Sequence, residues 1–141
     1  MNSRLLMTLR VVTAPVLTVG AVPHGTRTIY PITGGDFEGP RLRGKVLPGG
    51  ADWVLLRADG MLELDLRITL ETDDGALIHM TFDGLRDMAP GRPGDPPRSY
   101  FRTVPRFETA APKYAFLNEL IAVGSGEITA GGPVHTFEEI L

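Results

Sequence analysis

The chain has 141 residues, with 14 Lys and Arg against 17 Asp and Glu and a formal net charge of −3. The basic residues are scattered rather than clustered, which excludes the electrostatic footprint of a nucleic-acid-binding or anionic-lipid-binding protein. The absence of cysteine excludes disulfides, thiolate nucleophiles and thiolate metal sites, and the length suits one domain over residues 1–141.

The N-terminal run VVTAPVLTVGAVP, residues 11–23, is uncharged, but it contains two prolines and is too short to span a bilayer as a helix. We predict a strand and a turn here, no membrane partner, and a cytoplasmic protein. Short β-like segments then alternate with turn signals along the chain. The signals are PITGGDFEGP, LPGGAD, RADGM, TDDGAL, GRPGDPP and TAGGPV. This spacing is typical of an all-β antiparallel sandwich or barrel.

Asp59-Gly60 is a strong hairpin signal and is predicted to form a two-residue loop. This register pairs Trp53 with Leu66 and Leu55 with Leu64. It also places Asp52 opposite Arg67, close enough for the carboxylate and the guanidinium to interact.

The stretch MLELDLRITLETDDGALIHMTF, residues 61–82, alternates between apolar and polar residues, which predicts two strands. A three-residue loop at Asp73-Asp74-Gly75 keeps apolar residues opposite apolar residues. The predicted pairs are Thr72 with Ala76, Leu70 with Ile78, Ile68 with Met80 and Leu66 with Phe82. The opposite face then carries Asp65, Arg67, Thr69, Glu71, Leu77, His79, Thr81 and Asp83. The pattern favours a solvated polar face, and a polar lumen is the alternative.

Two later segments are less regular. Residues 87–98, DMAPGRPGDPPR, are predicted to form a surface loop, with a flap over a barrel mouth as the alternative. The segment from Tyr114 to Ala122 is predicted to form a strand, although its apolar spacing also fits a short helix between Pro112 and Gly124.

Four segments resemble the family catalogued as domain of unknown function 3237. They are GGDFEGPRLRGKVLPGGADW (34–53), RADGMLELDLRITLETDDGALIHM (57–80), YFRTVPRFET (100–109) and KYAFLNELIAVGSGEI (113–128). The resemblance covers residues from about 20 to the end. It implies a closed or nearly closed barrel of about eight to ten strands, similar to calycin and allene-oxide-cyclase barrels, with polar residues inside.

The resemblance also implies a site, because some fungal members resemble cyclases that add an internal hydroxyl across an activated alkene. The matching positions are Asp52 in G-G-A-D, Arg67 in D-x-R, Arg102 in Y-F-R, Glu108 in F-E-T and Asn118 in L-N. His79 and Phe116 depart from the family pattern, in which tyrosine and tryptophan are usual. With this resemblance, the lumen interpretation of the polar face is favoured.

We therefore predict a cofactor-independent isomerase or cyclase acting on a small aromatic or polyketide-like molecule. Arg67 would stabilise developing negative charge, and Asp52 or His79 would move the proton. The expected substrate-binding residues are Arg102, Glu108, Tyr114, Asn118 and Trp53, although the Tyr114 hydroxyl could instead cap the core. The three histidines have no metal-ligand spacing, so neither a metal nor another cofactor is expected.

A polar lumen has a consequence for the opposite face. The leucines of residues 62–70 would then point outward, and a homo-oligomer would be the simplest way to cover them. The alternative function is a non-catalytic barrel that binds a small molecule without proton transfer. A structural oligomer with a filled barrel is a third possibility.

Overall fold

A computed structural model describes residues 1–89 and 99–141 of the chain. These residues form ten strands and one 3₁₀ helix, Pro112–Glu119. The strands are β1 (Ser3–Thr13), β2 (Leu17–Val22), β3 (Gly25–Glu38), β4 (Arg43–Val46), β5 (Gly50–Leu56), β6 (Met61–Thr72), β7 (Leu77–Asp87), β8 (Phe101–Glu108), β9 (Ala122–Thr129) and β10 (Gly132–Ile140). Most of the predicted loop at 87–98 lies outside the described residues.

The strands close into an antiparallel barrel. β1, β10, β9, β8, β7 and β6 are neighbours in that order, and β3 pairs with β1 on the other side. The long strand β3 pairs with two strands on each side, β1 and β2 on one and β4 and β5 on the other. Because β4 and β5 also pair with β6, the ring is complete. The predicted all-β barrel is confirmed as eight strand positions filled by ten strands.

The hairpin between β6 and β7 has the predicted register. Leu66 faces Phe82, Ile68 faces Met80 and Leu70 faces Ile78. The three-residue loop is closed by a hydrogen bond from the Thr72 N–H to the Ala76 carbonyl, 2.9 Å. Gly75 has φ +89°, which is the left-handed conformation that glycine adopts without steric cost.

The hairpin between β5 and β6 differs from the prediction by one residue. Asp52 faces Leu66 and Ala51 faces Arg67. The turn is longer than two residues, because the Arg57 N–H donates to the Met61 carbonyl and the Gly60 N–H donates to the Arg57 carbonyl. The predicted cross-strand pair of Asp52 and Arg67 is therefore wrong, and the two side chains point to opposite faces of the sheet.

The apolar face of β6 and β7 lies inside the barrel, so the lumen interpretation of the polar face is wrong. The inward side chains are buried, and Leu70, Ile78 and Met80 have no measurable exposure. The physical reason is size, since the interior of an eight-stranded barrel is just wide enough for side chains to fill. The buried apolar side chains on the inward face of these two strands are Leu64, Leu66, Ile68, Leu70, Ile78, Met80 and Phe82. The predicted outward leucine stripe, and the argument for an oligomer that rested on it, do not hold.

One end of the barrel is covered by the 3₁₀ helix, and we call it the closed end. Tyr114 and Leu117 of the helix belong to the same buried cluster as Phe37 and Leu70. The prediction of a strand over 114–122 is wrong, and the helical alternative holds up to Glu119. No helix of the described residues is long and apolar enough to cross a membrane.

The opposite end of the barrel, where β6 begins and β7 ends, is called the mouth. β9 supplies little side-chain volume to the wall between the two ends, because its inward positions include Gly124 and Gly126. A Cβ at Gly124 would lie 2.6 Å from the Phe137 ring, and a Cβ at Gly126 would lie 2.8 Å from the Phe101 ring. The two aromatic rings therefore occupy the space that side chains of β9 would otherwise fill.

Candidate functional site

The mouth contains a cavity of about 120 Å³. It is bounded by the inward residues of eight strands. The lining residues are Val11, Thr13, Tyr30, Ile32, Asp52, Val54, Leu62, Leu64, Leu66, Arg86, Phe101, Ile128, Pro133 and His135. A small, mostly apolar cavity with a few polar groups that converge on it is typical of a small-molecule site.

Asp52 is the predicted catalytic residue that lies in this cavity. On β5 it is flanked by Tyr30 of β3 and Leu66 of β6, both on the inward face. Its Oδ1 accepts a hydrogen bond from the backbone N–H of Asp65, 3.0 Å. Burial raises the pKa of Asp52 to about 6, against the lowering effect of that hydrogen bond and with a smaller contribution from the nearby Asp65 charge. The carboxyl group therefore exchanges a proton close to neutral pH.

His135 is a second polar group of the cavity, and the sequence analysis missed it as a site residue. Its side chain is 2% exposed, and its ring lies 4.9 Å from the Phe82 ring and 5.2 Å from the Phe101 ring. Burial lowers the pKa of His135 to about 4, so the imidazole is neutral at pH 7. Its Nδ1 has no hydrogen-bond partner among the described residues. The alternation in GPVHTFEEI was the available signal, because it places His135 on the same face as Phe137.

Arg86 lies at the rim of the cavity, opposite Leu62 of β6 and Phe101 of β8. Its guanidinium carbon is 5.5 Å from the centre of the Phe101 ring, a cation–π contact. No carboxylate of the described residues lies within 4.0 Å of the Arg86 guanidinium. Within residues 1–89 and 99–141, the mouth therefore presents a cation whose charge is not neutralised by a neighbouring acid.

Comparison with known proteins shows the family. The family described as protein of unknown function (DUF3237) matches residues 1–139. The chain belongs to the DUF3237 family. It is 38% identical over 134 residues to a UPF0311 protein of Rhodopseudomonas palustris, covering 89% of this chain and 88% of the relative.

Solved structures are similar to this DUF3237 chain over nearly its whole length. The crystal structure of the R. palustris protein of unknown function has a TM-score of 0.88 at 35% identity, covering 99% of this chain and 97% of that chain. The crystal structure of a protein described as an enzyme from Penicillium herquei has a TM-score of 0.81 at 22% identity, with 99% and 94% covered. At that identity the second likeness shows the fold alone.

The other two predicted catalytic residues of this DUF3237 chain lie outside the barrel. The Arg67 side chain is 64% exposed, and its Nε lies 3.9 Å from Asp65 Oδ1. His79 is exposed and faces Glu108 across the strand pair. Both residues line an open outer groove of about 450 Å³ with Asp83. The prediction that Arg67 and His79 line a lumen with Asp52 is therefore wrong.

The predicted substrate-binding residues are also outside the mouth cavity. Trp53 and Arg102 line an open groove of about 980 Å³ on the outer surface. Glu108 is exposed at the end of β8. Asn118 is exposed too, and its amide exchanges two hydrogen bonds with the backbone of Thr109, both 2.9 Å, which join the helix to the end of β8.

Tyr114 lies at the closed end. Its ring is buried, and its hydroxyl donates to Asp74 Oδ1 at 2.8 Å. The alternative prediction, in which the Tyr114 hydroxyl caps the core, is confirmed. The mouth cavity therefore brings together Asp52, His135 and Arg86, of which only Asp52 was a predicted site residue.

Proposed function

We propose that this DUF3237 protein is a cofactor-independent acid–base enzyme of the isomerase or cyclase type. Its substrate would be a small, mostly apolar molecule bound at the mouth of the barrel. The observation that carries the proposal is the half-buried Asp52 carboxyl group, which lines a largely apolar cavity and has a pKa of about 6. Perturbed carboxyl groups in cavities are candidates for catalysis on physical grounds.

Asp52 suits both directions of proton transfer. A catalytic acid or base works best when its pKa lies near the operating pH, since both protonation states are then populated. An unperturbed aspartic acid would be almost fully ionised at neutral pH. Burial raises the pKa of Asp52 towards neutral pH, so that part of the population is protonated. The Asp65 N–H holds the carboxyl group in one orientation.

An intramolecular addition illustrates the reaction class. The Asp52 carboxylic acid gives its proton to one alkene carbon of the substrate while the hydroxyl oxygen of the same molecule bonds to the other carbon. The C=C π bond and the O–H bond break, and a C–H bond and a C–O bond form. The hydroxyl proton returns to the Asp52 carboxylate, so the product is an isomer of the substrate and the enzyme is regenerated without an oxidant, a reductant or a cofactor.

The size of the cavity limits what can be enclosed. A cavity of about 150 Å³ lined by apolar side chains binds benzene, and the mouth cavity is about 120 Å³. It therefore matches one ring or a short branched chain. A larger polyketide-like substrate would place one ring in the cavity and the remainder outside the mouth.

The comparisons support an enzyme in a coarse sense. The Penicillium herquei protein that shares the fold is described as an enzyme. This likeness supports catalysis by analogy of fold and does not assign a reaction. The cytoplasmic setting and the homo-oligomer stay predictions from the sequence.

A non-catalytic binding barrel is the second candidate. The observation in its favour is the composition of the cavity wall, in which residues such as Val11, Ile32, Val54 and Leu62 outnumber the polar groups. Such a barrel would hold a lipophilic molecule without changing it.

A deuterium experiment distinguishes the two candidates. The purified protein is incubated in D₂O with a small-metabolite extract of its host cell, and mass spectrometry follows compounds that change retention time but keep their elemental composition apart from the replacement of hydrogen by deuterium. The wild-type protein is expected to produce an isomer with one carbon-bound deuteron. Asp52→Asn should abolish this product, whereas the matched control Asp65→Asn, which alters an exposed carboxyl group, should retain it.

The opposite results would exclude catalysis by Asp52. If Asp52→Asn forms the deuterated isomer at the wild-type rate, the proposed role of Asp52 is wrong. If the wild-type protein forms no isomer and native mass spectrometry recovers a bound compound chemically unchanged, the binding barrel is the correct function.

A further inference from the structure

The cavity at the mouth contains two polar side chains that the proton transfer at Asp52 does not require. His135 lies deep in the wall among Phe82, Phe101 and Phe137, and Arg86 lies at the rim. These two groups differ in depth, in charge and in what they can bind. Together they describe the two ends of a ligand.

The buried end is defined by His135. The Nδ1 atom is shielded from solvent and has no hydrogen-bond partner among the described residues. Leaving such an atom unpaired is unfavourable, so a bound molecule that pairs with it gains affinity. A neutral imidazole nitrogen can donate or accept according to its tautomer, and a hydroxyl group can match either form.

The outer end is defined by Arg86. The guanidinium is held against the Phe101 ring, and its charge is not matched by a carboxylate of the described residues. Its in-plane N–H groups form the fork geometry that binds a carboxylate through two parallel hydrogen bonds. A bound anion would also favour the protonated form of Asp52, which is the form that donates a proton.

We propose that the mouth cavity recognises a hydroxylated aromatic carboxylic acid, with the hydroxyl group at His135 Nδ1, the ring between the apolar walls and the carboxylate at Arg86. This inference deepens the proposed function by naming its substrate class, and it rests on that function only for the location of the site. The cavity volume of about 120 Å³ fits a single ring in this position.

Three commercial probes separate the two contacts. They are 4-hydroxybenzoate, benzoate and phenol, and their dissociation constants are measured by NMR titration or calorimetry. The wild-type protein should bind 4-hydroxybenzoate about fivefold more tightly than benzoate, the factor for one neutral hydrogen bond. It should bind 4-hydroxybenzoate at least about tenfold more tightly than phenol, because the contact to Arg86 is charge-assisted.

Two variants assign these preferences to residues. His135→Phe keeps an aromatic ring and removes Nδ1, so the ratio between 4-hydroxybenzoate and benzoate should fall to about one while the preference over phenol remains. Arg86→Gln should remove the preference for 4-hydroxybenzoate over phenol, while the preference over benzoate remains. Arg67→Gln, a matched control on the outer face, should leave both ratios unchanged.

A measurement on the wild-type protein avoids dependence on the folding of His135→Phe. The ¹⁵N chemical shift of His135 Nδ1 should move on titration with 4-hydroxybenzoate and much less with benzoate. Unchanged ratios in both variants, a stationary Nδ1 signal, or no binding of any probe would each overturn the inference. The Nδ1 signal would also stay stationary if a water molecule already formed a hydrogen bond with Nδ1, and that result too would overturn the inference. These outcomes are independent of the deuterium experiment, since Asp52→Asn should keep the probe preferences even where it abolishes turnover.

Discussion

The two ends of the barrel differ in how fully their polar groups are hydrogen-bonded. At the closed end, the Asp74 carboxylate accepts hydrogen bonds from Thr72, Tyr114 and Lys113. These contacts lower the pKa of Asp74 well below its usual range. At the mouth, burial raises the pKa of Asp52 to about 6, and His135 Nδ1 has no partner among the described residues.

The contrast separates the parts of the molecule that stabilise it from the part that is available to a ligand. A satisfied polar group has little left to offer a bound molecule, whereas a buried and under-satisfied group gains free energy when a ligand pairs with it. Violations of local packing and pairing rules are expected at functional sites. In this barrel they cluster at the mouth.

The largest expected effect is a loss of stability when a buried side chain at the closed end is shortened. Leu117 is 1% exposed, so Leu117→Ala should lower the free energy of unfolding by about 2–5 kcal/mol, because it removes buried methyl groups and leaves a cavity. Leu62→Ala at the half-buried rim of the mouth is the matched control and should cost less than about 2 kcal/mol. Urea denaturation measures both. Equal losses would mean that the two ends contribute equally to the core.

The second effect is a pair of opposite pH dependences at the mouth. The pKa of Asp52 is raised from 3.8 to about 6, so its contribution to stability is present below pH 3.8 and is lost as the pH rises through 6. The pKa of His135 is lowered from 6.5 to about 4, so its contribution is present above pH 6.5 and is lost as the pH falls through 4. Each of these contributions is on the order of 3 kcal/mol.

Single variants should expose these two contributions separately. Relative to the wild-type protein, Asp52→Asn should gain stability as the pH rises from 4 to 7, and His135→Phe should lose stability over the same range. In the wild-type protein the two contributions largely cancel. Thermal and urea unfolding at intervals of pH test this, and two variants with slopes of the same sign would show that one of the pKa shifts is absent.

The smallest expected effect is on the outer face. Arg67→Ala and His79→Ala change exposed residues, whose substitution typically alters stability by less than about 0.5 kcal/mol. Both variants should also keep the affinity for 4-hydroxybenzoate. A tenfold loss of binding in either variant would place part of the functional site outside the barrel and weaken the contrast between its two ends.

The sequence predicted the local pairing of the central hairpin because that pairing is set by neighbouring residues. Only the register with a three-residue loop keeps Leu66 opposite Phe82, and Gly75 supplies the backbone conformation that the loop needs. The register at Asp59-Gly60 was not predicted, because it depends on hydrogen bonds of Arg57 that extend the turn.

The inward face was not predictable from alternation alone. A period of two separates two faces but does not say which one is enclosed, and the family resemblance favoured the polar face. The volume of an eight-stranded barrel decides the question, since large apolar side chains fill it. Asp52 was selected with a wrong partner, and His135 was considered only as a metal ligand, although it shares a face with Phe137.

The residue at position 126 controls the size of the mouth cavity, because glycine has no side chain there. Phe101 packs against that glycine and also lines the cavity, so even one added methyl group would displace the ring and reduce the room for a guest. The identities of the polar residues would be unchanged while the permitted guest became smaller. A single substitution at Gly126 of β9 would therefore be enough to make relatives of this chain accept different molecules. The polar residues that bind and react would be the same in each relative.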